Sequence, residues 1–181
     1  FVNMLLLIPA MWSITLNVFK VLRDSIGAAE TSARLADRMQ VLARTDVVTG
    51  LANRAGLNHA MVESMMALDD DTQMALFWID LDRFKEVNDL LGHPVGDKVL
   101  GEVAARLREV APPGTTLARF GGDEFVLYGP VANRKEAERI ASEVHIEIMR
   151  PMRIDNRSLD VRASLGVALM PEDAQDIDTL M

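Results

Sequence analysis

The sequence predicts an α/β sandwich of βαββαβ order, a ferredoxin-like layering of helices on a mixed, mostly antiparallel sheet. Three observations carry the prediction. Residues 73–80, QMALFWID, form a nearly continuous apolar run, the pattern of a strand buried on both faces. Strand-like pieces at 115–119 and 124–129 flank the turn FGGD and read as a hairpin. Helical patterns interleave with these strands, so the elements alternate rather than separate into blocks.

In chain order, residues 1–20 come first. From Phe1 to Phe19 no side chain is charged, a stretch able to cross most of a bilayer, which takes about 20 residues. Pro9 would kink such a helix, which membranes tolerate, whereas Trp12 sits mid-segment rather than at an interface. The expectation is a transmembrane helix over 1–20; the alternatives are a buried amphipathic helix or a signal-peptide core. Lys20, Arg23, Arg34, Arg38 and Arg44 follow it, which puts the C-terminal side in the cytoplasm and the protein in the inner membrane.

Residues 21–45 are polar and helix-favouring, and Leu35, Met39 and Leu42 repeat at four and three. They predict a coiled-coil-like helical linker, with dimerisation through that seam as a hypothesis. The globular part is expected over 46–181. Asn53 is placed to cap a helix reaching about Leu68, and DDDT, residues 69–72, makes a polar turn. Helices are expected at 84–91, 96–110 and 133–149, with a break at PPG, residues 112–114. Two short strands are expected last, at 158–164 and 166–170. The chain starts inside an apolar run and stops soon after DIDTLM begins a helical pattern, so a longer parent chain is expected.

Composition narrows function. The chain has 181 residues, no cysteine and a net charge of −8. Disulfides, thiolate metal sites and cysteine nucleophiles are excluded, and a nucleic-acid-coating surface is disfavoured. A small anionic ligand is compatible, since local N–H groups or a metal can hold it.

The acids are placed unusually. Asp80 ends the apolar strand, where an unpaired carboxylate is costly, and Asp82 shares its strand face. Asp123 and Glu124 are adjacent at the hairpin turn, and can reach the same sheet end if the hairpin lies beside residues 73–80. Converging carboxylates without histidine or cysteine suit a hard cation such as magnesium. Gly121 and Gly122 would let a ligand approach the backbone closely. The bland alternative is a type I′ turn with solvated acids. A helix starting after Asp82 offers free N–H groups to phosphate, and Lys85 in its first turn adds a positive charge, unless it is simply a solvated lysine. Taken alone, Asn88 and Asp97 are ordinary helix-surface residues. His59, His93 and His145 have no metal spacing, and His93 before Pro94 reads as loop packing.

The segments TDVVTGLANRAGL, WIDLDRFKEVNDLLGHPVGDKVL, RFGGDEFVLYG and ASLGVAL occur in this order and resemble the GGDEF domain, the diguanylate cyclase family, over about residues 43–181. The resemblance implies a palm-type nucleotidyl cyclase core that makes cyclic di-GMP and pyrophosphate from two GTP, one on each subunit of a homodimer. It implies that Asp80, the Leu81 carbonyl and Asp123 bind magnesium, with manganese as an alternative. Asp123 would also help deprotonate the 3′-hydroxyl, Glu124 would lie beside the metal, and Lys85 would neutralise transition-state charge. Asn88 and Asp97 would read guanine, with Phe84 and Gly122 in the substrate site. Two departures stand out: where family members carry an inhibitory Arg-x-x-Asp product site, this chain has PPGT, Pro112 to Thr115, and the family's C-terminal phosphate-contacting segment lies past Met181. Two other readings are a GTP-binding module without activity that regulates an attached cyclic di-GMP phosphodiesterase, and an interaction domain on a membrane helix. A class III cyclase ranks lower, lacking this turn.

Overall fold

The computed structural model describes residues 41–67 and 73–174, with Lys20, Arg23, Met39 and Thr179 singly. The expected transmembrane helix lies outside these residues, as does nearly all of the expected linker. Among the described residues, no helix is long and apolar enough to cross a membrane. The backbone divides into two units, Phe1–Val41 and Leu42–Met181, and the second carries the sheet with its helices.

The elements of this second unit are α1 (Arg54–Ala67), β1 (Gln73–Asp82), α2 (Phe84–Leu91), α3 (His93–Val110), β2 (Thr116–Arg119), β3 (Glu124–Val131), α4 (Arg134–Met149), β4 (Met152–Ile154), β5 (Arg157–Leu159) and β6 (Arg162–Met170). Four strands form one sheet in the order β2-β3-β1-β6, and β4 pairs with β5 apart from it. All three pairings of the main sheet are antiparallel, so the expected mixed sheet is corrected to an antiparallel one. The reason is topological: each crossover skips a strand, and the strands it would align in parallel are never neighbours.

β1 is the central strand, and the period-two alternation of its side chains divides the core. Phe77, Ile79 and Leu81 face α3 and α4, where they meet Val99, Val103, Leu107, Ile140, Val144 and Ile148. Met74 and Leu76 pack with Leu57 and Met61 of α1 and with Tyr128 of β3, and Trp78 lies against that second cluster. Burying each large side chain contributes about 1.5–3 kcal/mol, so both faces of β1 hold it in register.

Helix starts follow the capping residues. Asn53 accepts from Gly56 N–H at 3.0 Å and opens α1. At α4, Asn133 accepts from Glu136 N–H at 3.1 Å, and the Glu136 carboxylate accepts from Ala132 N–H at 2.6 Å, which ties the incoming chain to the first turn. α3 begins at His93 rather than residue 96, because Gly92 (φ 85°) caps it and Pro94 stands in its first turn. The two expected strands at 158–164 and 166–170 are corrected as well. β6 is one strand through Gly166, whose missing side chain leaves only open space, and β4–β5 is a separate hairpin turning at Asp155 and Asn156 in left-handed conformation.

Candidate active site

The last residues of β1 organise the site. In the sheet register Asp80 sits opposite Glu124 of β3 and Ser164 of β6. Leu81 N–H donates to the Asp123 carbonyl at 3.1 Å, which holds the hairpin turn against the end of β1. The acids therefore converge as the sequence suggested. Asp80 itself is exposed, not buried as the apolar run implied, because the strand projects past the helices that cover its middle. Its pKa is raised, first by what burial it has and then by the charges of Asp123 and Asp82. Asp82 accepts from the Ser164 hydroxyl at 2.8 Å. Among the described residues, no cation pairs with Asp80, Asp82, Asp123 or Glu124.

The turn is not type I′, since neither Gly121 nor Gly122 has positive φ. The two glycines differ. A Cβ on Gly121 would lie 2.2 Å from Glu124 Oε2, so the Glu124 side chain folds over that glycine. A Cβ on Gly122 would meet nothing within 4 Å, which leaves its surface open.

A cavity of about 350 Å3 lies between α2, α3 and the turn. It brings together Phe84, Lys85, Asn88, Asp97, Gly122 and Asp123, six of the residues singled out in the sequence. Phe84 is buried and Lys85 exposed. Gly96 explains how Asn88 fits: a Cβ there would come within 2.0 Å of Asn88 Oδ1, so the amide occupies the space the glycine leaves. A neighbouring cleft of about 1050 Å3 opens on the β6 side, and Asp80 lines that one rather than the smaller cavity.

His93 lines the smaller cavity and is exposed, which corrects the expectation of a loop-packing residue. Gly96 and Arg119 were also missed. Arg119 lines the cavity and donates to the Gly122 carbonyl at 2.7 and 3.2 Å and to the Asp46 carboxylate at 3.2 and 3.3 Å. Burial alone would raise the Asp46 pKa. The Thr49 hydroxyl and N–H, with Arg119, outweigh it and hold the carboxyl below its ordinary value. A signal was present, since Asp46 and Arg119 both lie inside the family-like segments, but 73 residues separate them.

An oxygen-only donor set at mutually repelling carboxylates fits a hard divalent cation. Among the described residues, no three His, Cys, Asp or Glu side chains are arranged to hold a metal by themselves. The set fits an ion held by one or two carboxylates that completes its shell from a backbone carbonyl, water and ligand phosphates.

An acidic strand end beside a cavity of about 350 Å3, on an antiparallel ferredoxin-like sheet, marks an α+β domain with a candidate ligand site. The profile of the family described as "Diguanylate cyclase, GGDEF domain" matches residues 43–181, and the chain belongs to that family. Diguanylate cyclase TpbB of Pseudomonas aeruginosa is 38% identical over 162 residues, covering 86% of this chain and 37% of TpbB. The cyclic di-GMP phosphodiesterase NbdA of the same species is 34% identical over 144 residues, covering 79% of this chain and 18% of NbdA. The coiled coil and GGDEF domain of DgcB from Caulobacter crescentus, solved with c-di-GMP, superposes with TM-score 0.73 at 29% identity, over 82% of this chain and 80% of that one. The chain spans well under half the length of TpbB and NbdA. GGDEF cyclases generally use a divalent metal.

Proposed function

We propose that this domain is a diguanylate cyclase that condenses two GTP into cyclic di-GMP and two pyrophosphates, with one GTP on each subunit of a homodimer. The observation that carries the reading is the cavity holding Asn88 and Asp97 with Asp123 in the same wall. Asp97 accepts from the paired N–H groups of a guanine edge, and Asn88 completes the polar contacts. Adenine lacks that donor pair and would leave the carboxylate unpaired, which rejects it.

From that anchor the triphosphate runs towards the turn and the start of α2. The uncapped N-terminus of α2 offers N–H groups to phosphate oxygens, and Lys85 in its first turn offsets the charge that builds in the transition state. The 3′-oxygen of one GTP bonds to the α-phosphorus of the other. The bond from that phosphorus to the bridging oxygen breaks, pyrophosphate leaves, and the hydroxyl proton passes to the Asp123 carboxylate with Glu124 beside it. The second half repeats this with the roles exchanged. A divalent cation, magnesium or alternatively manganese, held by Asp80, the Leu81 carbonyl and Asp123, would supply Lewis-acid stabilisation of the in-line displacement.

The dimer is assigned to the linker seam, of which Met39 and Leu42 are 72% and 68% exposed. On this reading residues 1–20 would anchor the domain on the cytoplasmic side of the inner membrane, supported by the uncharged run from Phe1 to Phe19 and the basic residues after it. A second reading, a GTP-binding module without turnover that regulates an attached phosphodiesterase, draws on the similarity to NbdA. Intact Asp123 and Glu124 favour the enzyme. The deciding experiment is GTP turnover with magnesium, the product identified by mass, beside Asp123→Ala. Cyclic di-GMP from the parent and a loss of at least about a hundredfold in the variant are expected, the scale of removing a proton-transfer group. Tight GTP binding without product would establish the regulatory module.

A further inference from the structure

Guanine carries an acceptor that Asp97 cannot serve. Beside the paired N–H groups that give to Asp97 stands the 6-oxo oxygen, on the same edge of the base. An enclosed acceptor without a donor is costly, so a well-fitted site supplies one. Asp89, Asp97 and Asp123 line the cavity, but an ionised carboxylate only accepts. Among the described residues, four lining side chains can donate: Lys85, Asn88, His93 and Arg119. Two of them are committed. The Arg119 guanidinium is held by the Gly122 carbonyl and the Asp46 carboxylate. Lys85 stands in the first turn of α2, beside the N–H groups that take phosphate in the mechanism above. Asn88 also belongs to α2, and its amide oxygen fills the notch at Gly96. That leaves His93. The other two histidines are engaged: His59 pairs with Glu63 at 3.2 Å, and His145 meets the Ala163 carbonyl at 3.1 Å. His93 lines the cavity, is exposed, and has no hydrogen-bond or ion-pair partner among the described residues.

We propose that His93 donates a ring N–H to the 6-oxo oxygen of guanine, so that Asp97 reads the donors of the base and His93 its acceptor. The proposal rests on the cyclase reading, which puts guanine in this cavity. Position on the helix supports it. His93 lies four residues before Asp97 on α3. That spacing sets both on one helix face, with about 5–6 Å between their Cβ atoms. A base edge laid along that face meets the carboxylate with its N–H groups and the imidazole with its oxygen. Neutral or protonated, an imidazole keeps at least one N–H, so the contact needs no particular charge state. The consequence is selectivity. Asp97 alone accepts any base with two adjacent N–H groups, whereas the pair also requires an oxygen acceptor next to them.

Replacing that oxygen with sulfur tests the contact. The 6-thio analogue of guanosine diphosphate keeps both N–H groups and offers only a weak acceptor in place of the oxygen. The diphosphates cannot release pyrophosphate, so calorimetric titration with magnesium reads binding without turnover. The parent should bind guanosine diphosphate about tenfold more tightly than the thio analogue, the effect of one good hydrogen bond. His93→Ala should bring the two ligands within about twofold of each other, by weakening the oxo form and sparing the thio form. Asn88→Ala should weaken both and keep the tenfold preference. A parent without preference, or a preference that survives in His93→Ala, would overturn the contact and leave guanine in the cavity. A preference lost in Asn88→Ala and kept in His93→Ala would assign the donor to Asn88 and overturn it equally. A parent that binds neither diphosphate would overturn the cyclase reading and the contact together.

Discussion

Gly96 controls the position of Asn88 from one helix turn into α3. The amide oxygen sits where a Cβ at 96 would be, 2.0 Å away, so Gly96→Ala forces the Asn88 side chain out of the cavity. Alanine is also the better helix former, by up to about 1 kcal/mol, which opposes any loss of fold. The expected outcome is therefore split: KM for GTP rises about tenfold, as for one lost polar contact, while thermal stability does not fall. A parallel loss of stability would mean that Gly96 serves packing and not binding. Asp80 supports a different test. Its carboxyl titrates above the ordinary 3.8 in the folded chain, through burial and the charges of Asp123 and Asp82. Its contribution is fully favourable only below the unfolded value and is lost as pH rises through the raised folded value. Near neutral pH the ionised group opposes folding. Asp80→Asn should raise the melting temperature at pH 7 without metal, the gain should fade towards pH 3, and magnesium should stabilise the parent more than the variant. Thermal melts across pH and magnesium concentration check the sign.

The elements show how far sequence reasoning carries. The central strand, the hairpin and α2 were legible because local signals agree there: an apolar run, a glycine turn, and a helix whose bounds match at 84–91. The approach of the Asp123–Glu124 turn to Asp80 was legible as well, since adjacent strands fix it, whereas Asn88 and Asp97, on helices, were singled out by the family resemblance alone. The pairing of Asp46 with Arg119 was not legible, because no periodicity links a loop to a strand end so far along the chain. The β4–β5 hairpin was missed because its strands have three residues each. Arg106 was missed because a buried arginine at the core positions of α3 looks like a solvated one in sequence. It is 7% exposed, pairs with Glu102, and donates to the carbonyls of Glu147, Ile148, Arg150 and Pro151. It satisfies the C-terminal carbonyls of α4 and ties that helix to α3. Arg106→Met retains much of the packing and removes every donor. It should cost about 2–4 kcal/mol in urea unfolding, the range for stranding buried acceptors, and leave turnover per folded molecule unchanged. A cost below about 1 kcal/mol would show that water replaces the guanidinium.

At the scale of the whole molecule, the proposed cyclase would take substrate in between α2, α3 and the hairpin and release product into the solvent that the same surface faces. Feedback would require the product to bind elsewhere, and a cyclic dinucleotide with two phosphates needs fixed cations to be held against a net charge of −8. The turn before β2, where such a site would stand in this family, runs Pro112, Pro113, Gly114, Thr115. It closes on itself through Thr115 N–H to the Pro112 carbonyl at 3.2 Å, with Gly114 at φ 82°. Neither a guanidinium nor a carboxylate projects from it. Thr115 also packs so tightly on Gly129 that a Cβ there would lie 2.8 Å from its hydroxyl, which fixes the turn against β3. Excess cyclic di-GMP should therefore leave the initial rate of GTP turnover within about twofold of its unchallenged value, and restoring arginine at 112 with aspartate at 115 should create inhibition. An approximately tenfold fall in the parent rate would require tight product binding at another surface. Inhibition that disappears as GTP is raised would locate that surface in the substrate cavity itself, where product and substrate present the same guanine edge to Asn88 and Asp97.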